Sequence, residues 1–254
     1  MFTTPFVESK TVAHITTITF FHPSHNSMPS TQLIALQNAI EKAGMDEQTH
    51  VIILQSAGEK TFCAGASFDE LAAIEDVVTG KTFFMGFANV INAMRKCPKF
   101  ILVRVQGKAI GGGVGLAAAA DYAMAHDSAS IKLSELAVGI GPFVIGPVVE
   151  RKMGLSAFSE LAINATEWRT ADWAKSRGLF HEVFDNVPQL DAYTTDLATR
   201  LSLFSLQAMQ QLKKVLWENT EHWDELLQTR AMISGELILS DFSKQAIAKF
   251  KTKG

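Results

Sequence analysis

The sequence predicts an α/β fold with a helical tail. Three observations carry this expectation. Short β-rich runs alternate with helical stretches through the first half of the chain. Two of those runs lead directly into segments of small residues. From about Gln189 onward the strand signals vanish.

Val12 to Phe21 alternates and is rich in Thr and Ile, which predicts a strand. Thr31 to Ala43 places Leu33, Leu36, Ala39 and Ile40 at helical spacing, with Gly44 as the stop. Val51 to Gln55 and Phe100 to Val105 are the two β-rich runs that precede the small-residue segments. Between them, Phe83 to Lys96 reads as a helix closed by Pro98. Tyr122 to Ala125 and Ala129 to Leu133 are predicted short strands. In the tail, Leu190 to Leu203, Ser205 to Trp217, His222 to Leu239 and Asp241 to Phe250 read as helices. Helices this short need a surface to pack on, either their own core or another copy. Residues 1–190 are expected to form the core and 191–254 a helical region.

Composition narrows the function. The chain has 254 residues, is 47% hydrophobic and carries a net charge of −3. No basic face advertises nucleic acid, so an anionic ligand must be met by local groups. Two cysteines, Cys63 and Cys97, make no disulfide framework and point to a reducing compartment. Cys63 reads as a small buried filler. Met1 to Lys10 shows no signal-peptide pattern, and the apolar stretch Ile110 to Ala120 is too short to span a bilayer. The expectation is a soluble cytoplasmic protein without membrane or nucleic-acid partners.

The chemistry concentrates in two segments. One is Thr61 to Leu71, containing Ala64-Gly65-Ala66-Ser67-Phe68; the other is Val105 to Asp121, containing Ile110-Gly111-Gly112-Gly113-Val114-Gly115. Each puts small residues where a strand gives way to a helix, so the backbone can approach a ligand and present bare N–H groups. Two such groups aimed at one carbonyl oxygen stabilise an oxyanion. This pair, in this order and about 45 residues apart, together with Ile131 to Ile140, resembles the enoyl-CoA hydratase/isomerase, or crotonase, superfamily.

The resemblance covers nearly the whole chain and implies a spiral of ββα turns with a C-terminal helical trimerisation region, in trimers or dimers of trimers. It implies an acyl-CoA thioester substrate, with coenzyme A as part of the substrate and no separate cofactor or metal. By match to the family motifs, the oxyanion donors are the N–H groups of Ala66 and Gly112. Ala64, Ser67, Phe68, Gly111, Gly115 and Phe143 fall at substrate-binding positions, and Leu71, Phe84, Phe87 and Val144 join Phe68 and Phe143 as acyl-pocket or core residues. Lys244, Lys249 and Lys251 are candidates to reach CoA phosphates, while Gln245 stands where the family often has Lys.

The hydratases of the family carry two glutamates. The second matches Glu135; at the first stands Gly115, which has nothing to titrate. Hydration uses two carboxylates to hold one water, whereas moving a double bond needs one base that takes a proton from C2 and returns it to C4. A single glutamate therefore favours an enoyl-CoA isomerase with Glu135 as shuttling acid/base. An enoyl-CoA hydratase and a non-catalytic acyl-CoA binder are the competing readings. The competing reading of Glu135 is a surface carboxylate at a helix start that Ser134 could cap; Gly139-Ile140-Gly141-Pro142 is expected to form a rigid turn that holds the carboxylate in place. His22 and His25 flank Pro23-Ser24 without further metal-type partners and read as loop residues; Asp46-Glu47 and Glu75-Asp76 read as solvated faces.

Overall fold

A computed structural model describes residues 2–251, with side chains through residue 249. The chain begins with a hairpin, β1 (Phe6–Val12) and β2 (Ile15–Phe21), followed by α1 (Ser30–Met45). The expected strand Val12 to Phe21 is thus interrupted. Ala13 and His14 both take positive φ, 48° and 66°, the two-residue turn geometry that suits the twist of a hairpin. Gly44 does not stop α1. Its bare α-carbon lies against Cys97, where a Cβ would come within 3.1 Å of Sγ.

Three ββα turns then repeat. The first is β3 (Val51–Ser56), β4 (Thr61–Cys63), α2 (Phe68–Ala72) and α3 (Val77–Lys96). The second is β5 (Phe100–Val105), β6 (Lys108–Ile110) and α4 (Gly112–Ala118). The third is β7 (Tyr122–His126), β8 (Ser130–Lys132), a 3-10 turn over Glu135–Val138 and α5 (Gly146–Ile163), which breaks at Gly154 with φ 80°. β9 (Arg169–Thr170), α6 (Ala171–Ser176) and β10 (Glu182–Phe184) complete the sheets. The helical tail is α7 (Val187–Ser202), α8 (Leu206–Leu216), α9 (Trp223–Leu237) and α10 (Asp241–Lys251), close to the four helices expected.

In every turn the first strand joins a six-stranded sheet, order β1-β2-β3-β5-β7-β10, and the second joins a four-stranded sheet, order β4-β6-β8-β9. The β2-β3-β5-β7-β10 and β4-β6-β8 pairings are parallel. The large sheet is covered on both faces, which explains the unbroken apolar runs of β3 and β5. Val51, Ile53, Leu102 and Met124 pack under Leu190 and Ala198 of α7. Ile52, Leu54, Ile101 and Val103 face the main core.

α3 begins earlier than its apolar pattern suggests. Asp76 accepts from the Thr79 N–H at 2.9 Å and caps it, so this residue is a helix start and not simply a solvated charge. α9 and α3 meet at Gly80 and Gly235, where a Cβ on either would fall within 3 Å of the other's backbone. α10 rests on α2 and on the 3-10 turn. Both terminal helices therefore pack against their own chain. Among the described residues no helix is long and apolar enough to cross a membrane.

Candidate active site

Three loops leave the C-terminal ends of three adjacent parallel strands of the small sheet. β4 ends at Cys63 and runs into Ala64-Gly65-Ala66; β6 ends at Ile110 and runs into Gly111-Gly112; β8 ends at Lys132 and runs through Ser134 to Glu135. Such strand ends are where open α/β sheets place their ligands. Short hydrogen bonds join the loops to the scaffold. Gly111 N–H donates to Lys132 C=O at 2.9 Å, and Met28 N–H donates to Gly65 C=O at 2.8 Å.

These bonds orient two peptide planes. In a trans peptide the N–H points opposite to the C=O of the preceding residue. Gly65 C=O faces Met28, so Ala66 N–H points away from it, toward the cavity it lines. Gly111 C=O turns into α4, accepting from Val114 N–H at 2.9 Å and Gly115 N–H at 3.2 Å. Gly112 N–H therefore projects outward from the first turn of α4, where no earlier carbonyl can accept it. A Cβ on Gly65 would stand 3.5 Å from Gly112 N, which shows how closely the two segments meet. Gly65 and Gly111 take φ of 83° and 51°, a region glycine enters freely.

Glu135 lies beside this pair. Its carboxylate covers the α-carbon of Gly111, where a Cβ would come within 2.7 Å of Oε1. Oε2 is shielded from solvent and has no hydrogen-bond partner among the described residues. Burial pushes the carboxyl up to about 7, against a smaller downward pull from its own backbone N–H. The turn holding it closes through Ile140 N–H to Glu135 C=O at 3.1 Å, with Gly139 left-handed at φ 82°. Gly139 closes the turn in the left-handed region, as the expected glycine-rich turn requires, but Ser134 makes no side-chain cap.

The cavity these groups share has a volume of about 70 Å³. Ala64, Ala66, Phe68, Gly111, Gly112, Glu135 and Phe143 all line it, as do Leu71, Phe84, Phe87 and Val144. Two expected positions do not. The Ser67 hydroxyl accepts from Glu70 N–H at 3.4 Å and caps α2. Gly115 faces Ile145, where a Cβ would stand 2.6 Å from Cγ2. It lies in the core, one turn inside α4 from Gly112. Among the described residues Glu135 is the one titratable side chain of the lining, beside the hydroxyls of Ser134 and Ser234. Ser234 was not legible in the sequence: it arrives on α9, about 100 residues after Glu135. Cys63, buried beneath the first loop with its thiol pushed up to about 12, is a filler as expected. The side chain of Lys251 lies outside the described residues.

The family model for enoyl-CoA hydratase/isomerase matches residues 10–254. A (7aS)-7a-methyl-1,5-dioxo-2,3,5,6,7,7a-hexahydro-1H-indene-carboxyl-CoA hydrolase from Rhodococcus jostii is 27% identical over 207 residues, 80% of this chain and 76% of that protein. A peroxisomal Delta(3,5)-Delta(2,4)-dienoyl-CoA isomerase from Arabidopsis thaliana is 27% identical over 243 residues, 89% of this chain and 86% of that protein. The crystal structure of an enoyl-CoA hydratase from Bacillus halodurans superposes with a TM-score of 0.89 at 21% identity, covering 96% of this chain and 99% of that one. That structure shares the fold of this chain. The chain belongs to the enoyl-CoA hydratase/isomerase family and is an enzyme of the crotonase type.

Proposed function

We propose that the enzyme shifts a double bond, converting a 3-enoyl-CoA to the conjugated 2-enoyl-CoA. The observation that carries this reading is a solitary buried carboxylate, Glu135, beside two outward-pointing backbone N–H groups in an apolar cavity. The thioester oxygen accepts from Ala66 and Gly112 N–H. Glu135 removes a C2 proton and the electrons pass onto that oxygen as a dienolate. Glu135 then returns the proton to C4 on the same face, the C2=C3 bond forms and the carbonyl is restored. Proton number and oxidation state balance, so the substrate brings all the cofactor the step uses. Each N–H donor contributes roughly 100- to 1,000-fold in rate. A carboxyl near 7 can both take and give a proton around neutrality. Phe68, Phe84, Phe87 and Phe143 supply the apolar wall for the acyl chain.

Water addition is the rival. It fits less well because Ile145 fills the space behind Gly115 where a second carboxylate would start. The test is spectroscopic. A 3-enoyl-CoA should gain the absorbance of a conjugated thioester, whereas rapid loss of that absorbance from a 2-enoyl-CoA would make the enzyme a hydratase. Neither change, together with no solvent deuterium entering the α-carbon of a bound acyl-CoA, would leave only an acyl-CoA binder.

We also infer that the enzyme self-associates, as a trimer or dimer of trimers. What supports this is apolar surface left open on and beside α8: Leu203 is 80% exposed, Phe204 59% and Val215 56%.

A further inference from the structure

The C-terminal end of α4 opens on a second cleft of about 370 Å³, walled by Asp121, Val148, Arg151, Lys152, His181 and Trp217 among others. Its charges do not cancel. Among the described residues Asp121 is the only carboxylate in the lining, and both of its oxygens are engaged. Oδ2 accepts from Lys213 Nζ at 2.8 Å and from Ile101 N–H at 2.7 Å; Oδ1 accepts from Trp217 Nε1 at 2.9 Å. Lys213 is buried, so Asp121 and Lys213 form a closed neutral pair.

Three donors remain. Lys152 is half-buried and spends one N–H on Ala120 C=O at 2.9 Å. Arg151 spends one on Leu216 C=O at 2.7 Å, with its guanidinium 5.8 Å from the Trp217 ring centre. Among the described residues neither cation has a carboxylate within salt-bridge distance. His181 Nδ1 is held by the Ala123 backbone, 3.1 Å from its N and 3.3 Å from its O, which leaves Nε2 as the ring nitrogen that donates to an anion when it carries a proton. Glu182, the neighbouring acid, is tied to Lys175 at 2.7 Å. Burial holds Lys152 down at about 8, and burial together with the Lys152 charge pushes His181 below its ordinary value. Cations crowded in a partly dry cleft cost free energy that an anion with several acceptor oxygens offsets.

We infer that this cleft is a binding site for a phosphate group, held by Lys152, Arg151 and the Nε2–H of His181 against the Trp217 indole. The cleft shares no lining residue with the thioester cavity, so the two sites are separate. α4 connects the two, with Gly112 at one end and Ala118 lining the cleft at the other.

The test titrates the full-length enzyme with inorganic phosphate and, separately, with adenosine 3′,5′-bisphosphate, at ionic strength fixed by chloride. Wild type, Lys152→Met and His181→Gln are compared by melting temperature, and His181 is followed by imidazole NMR. Inorganic phosphate should raise the melting temperature saturably and move the His181 titration upward in wild type. Each variant should bind on the order of 10-fold more weakly, the loss of one charged hydrogen bond. Without phosphate, Lys152→Met should melt no lower than wild type, which guards against a folding artefact. If only the bisphosphate gives the Lys152-dependent response, the phosphate is that of a nucleotide. A response that survives both substitutions, or that chloride alone reproduces, would overturn the assignment.

Discussion

Replacing Glu135 by Gln should make the protein inactive and, above neutrality, more stable. In the unfolded chain this carboxyl loses its proton near 4.5, while in the fold burial holds it to about 7. Between those values the native state binds the extra proton, so wild-type stability falls as pH rises through the window and levels off above it. Each pKa unit corresponds to about 1.4 kcal/mol, which gives a penalty of about 3 kcal/mol once the group is ionised. Glutamine keeps the shape and never ionises. On a chain of this length 1 kcal/mol moves the melting temperature by roughly 2 to 4 °C. The advantage of Glu135→Gln over wild type should therefore grow by roughly 5 to 10 °C between pH 5 and pH 8.5. Differential scanning calorimetry of both proteins across that range measures it. Turnover of a 3-enoyl-CoA should fall roughly 100- to 10,000-fold in the same variant, the span of general acid–base catalysis. Parallel melting curves at every pH would refute the idea that a strained, ionisable carboxylate sits in this cavity. Unimpaired turnover would refute its role as base.

Other outcomes follow from the same geometry. In wild type, kcat/KM should rise with pH through about 7 as Glu135 ionises, and pre-steady-state assays from pH 5.5 to 8.5 would show it. Gly111→Ala places a methyl within 2.7 Å of Glu135 Oε1 at a positive φ, so kcat should drop with KM little changed. Gly115→Glu should lower the melting temperature without conferring water addition, because its Cβ meets Ile145; adding Ile145→Ala should restore the fold, and loss of 2-enoyl-CoA absorbance would report any hydration gained. Gly235→Ala should cost about 1 to 3 kcal/mol by wedging α9 off α3, readable in urea unfolding.

The heart of the site was legible because it is built from backbone. Glycines at 65, 111 and 112 and the apolar runs before them are local signals of where the backbone can present bare N–H groups, and the resemblance to the family names Ala66 and Gly112 as the two donors. Glu135 was reached through the same resemblance, at the position of the family's second glutamate. What the sequence concealed is tertiary. β4, β6 and β9 are two or three residues long and exist only because neighbouring strands pair with them. α5 shows little apolar face and is broken at Gly154, so its pattern is faint. Ser67 resembles a ligand contact by position, yet its hydroxyl turns to the α2 backbone. The sequence also showed that Gly115 lacks a carboxylate, but not that Ile145 occupies its surroundings.

The seating of α9 sets a timetable. Ser234 stands in the cavity wall, and the helix carrying it is locked onto α3 through Gly80 and Gly235. A ribosome extrudes the two glycine loops and Glu135 long before it delivers that helix. During the interval Phe84 and Phe87 border an unroofed greasy trough, the kind of surface chaperones recognise on nascent chains. The wall of the cavity is thus incomplete until α9 emerges and docks.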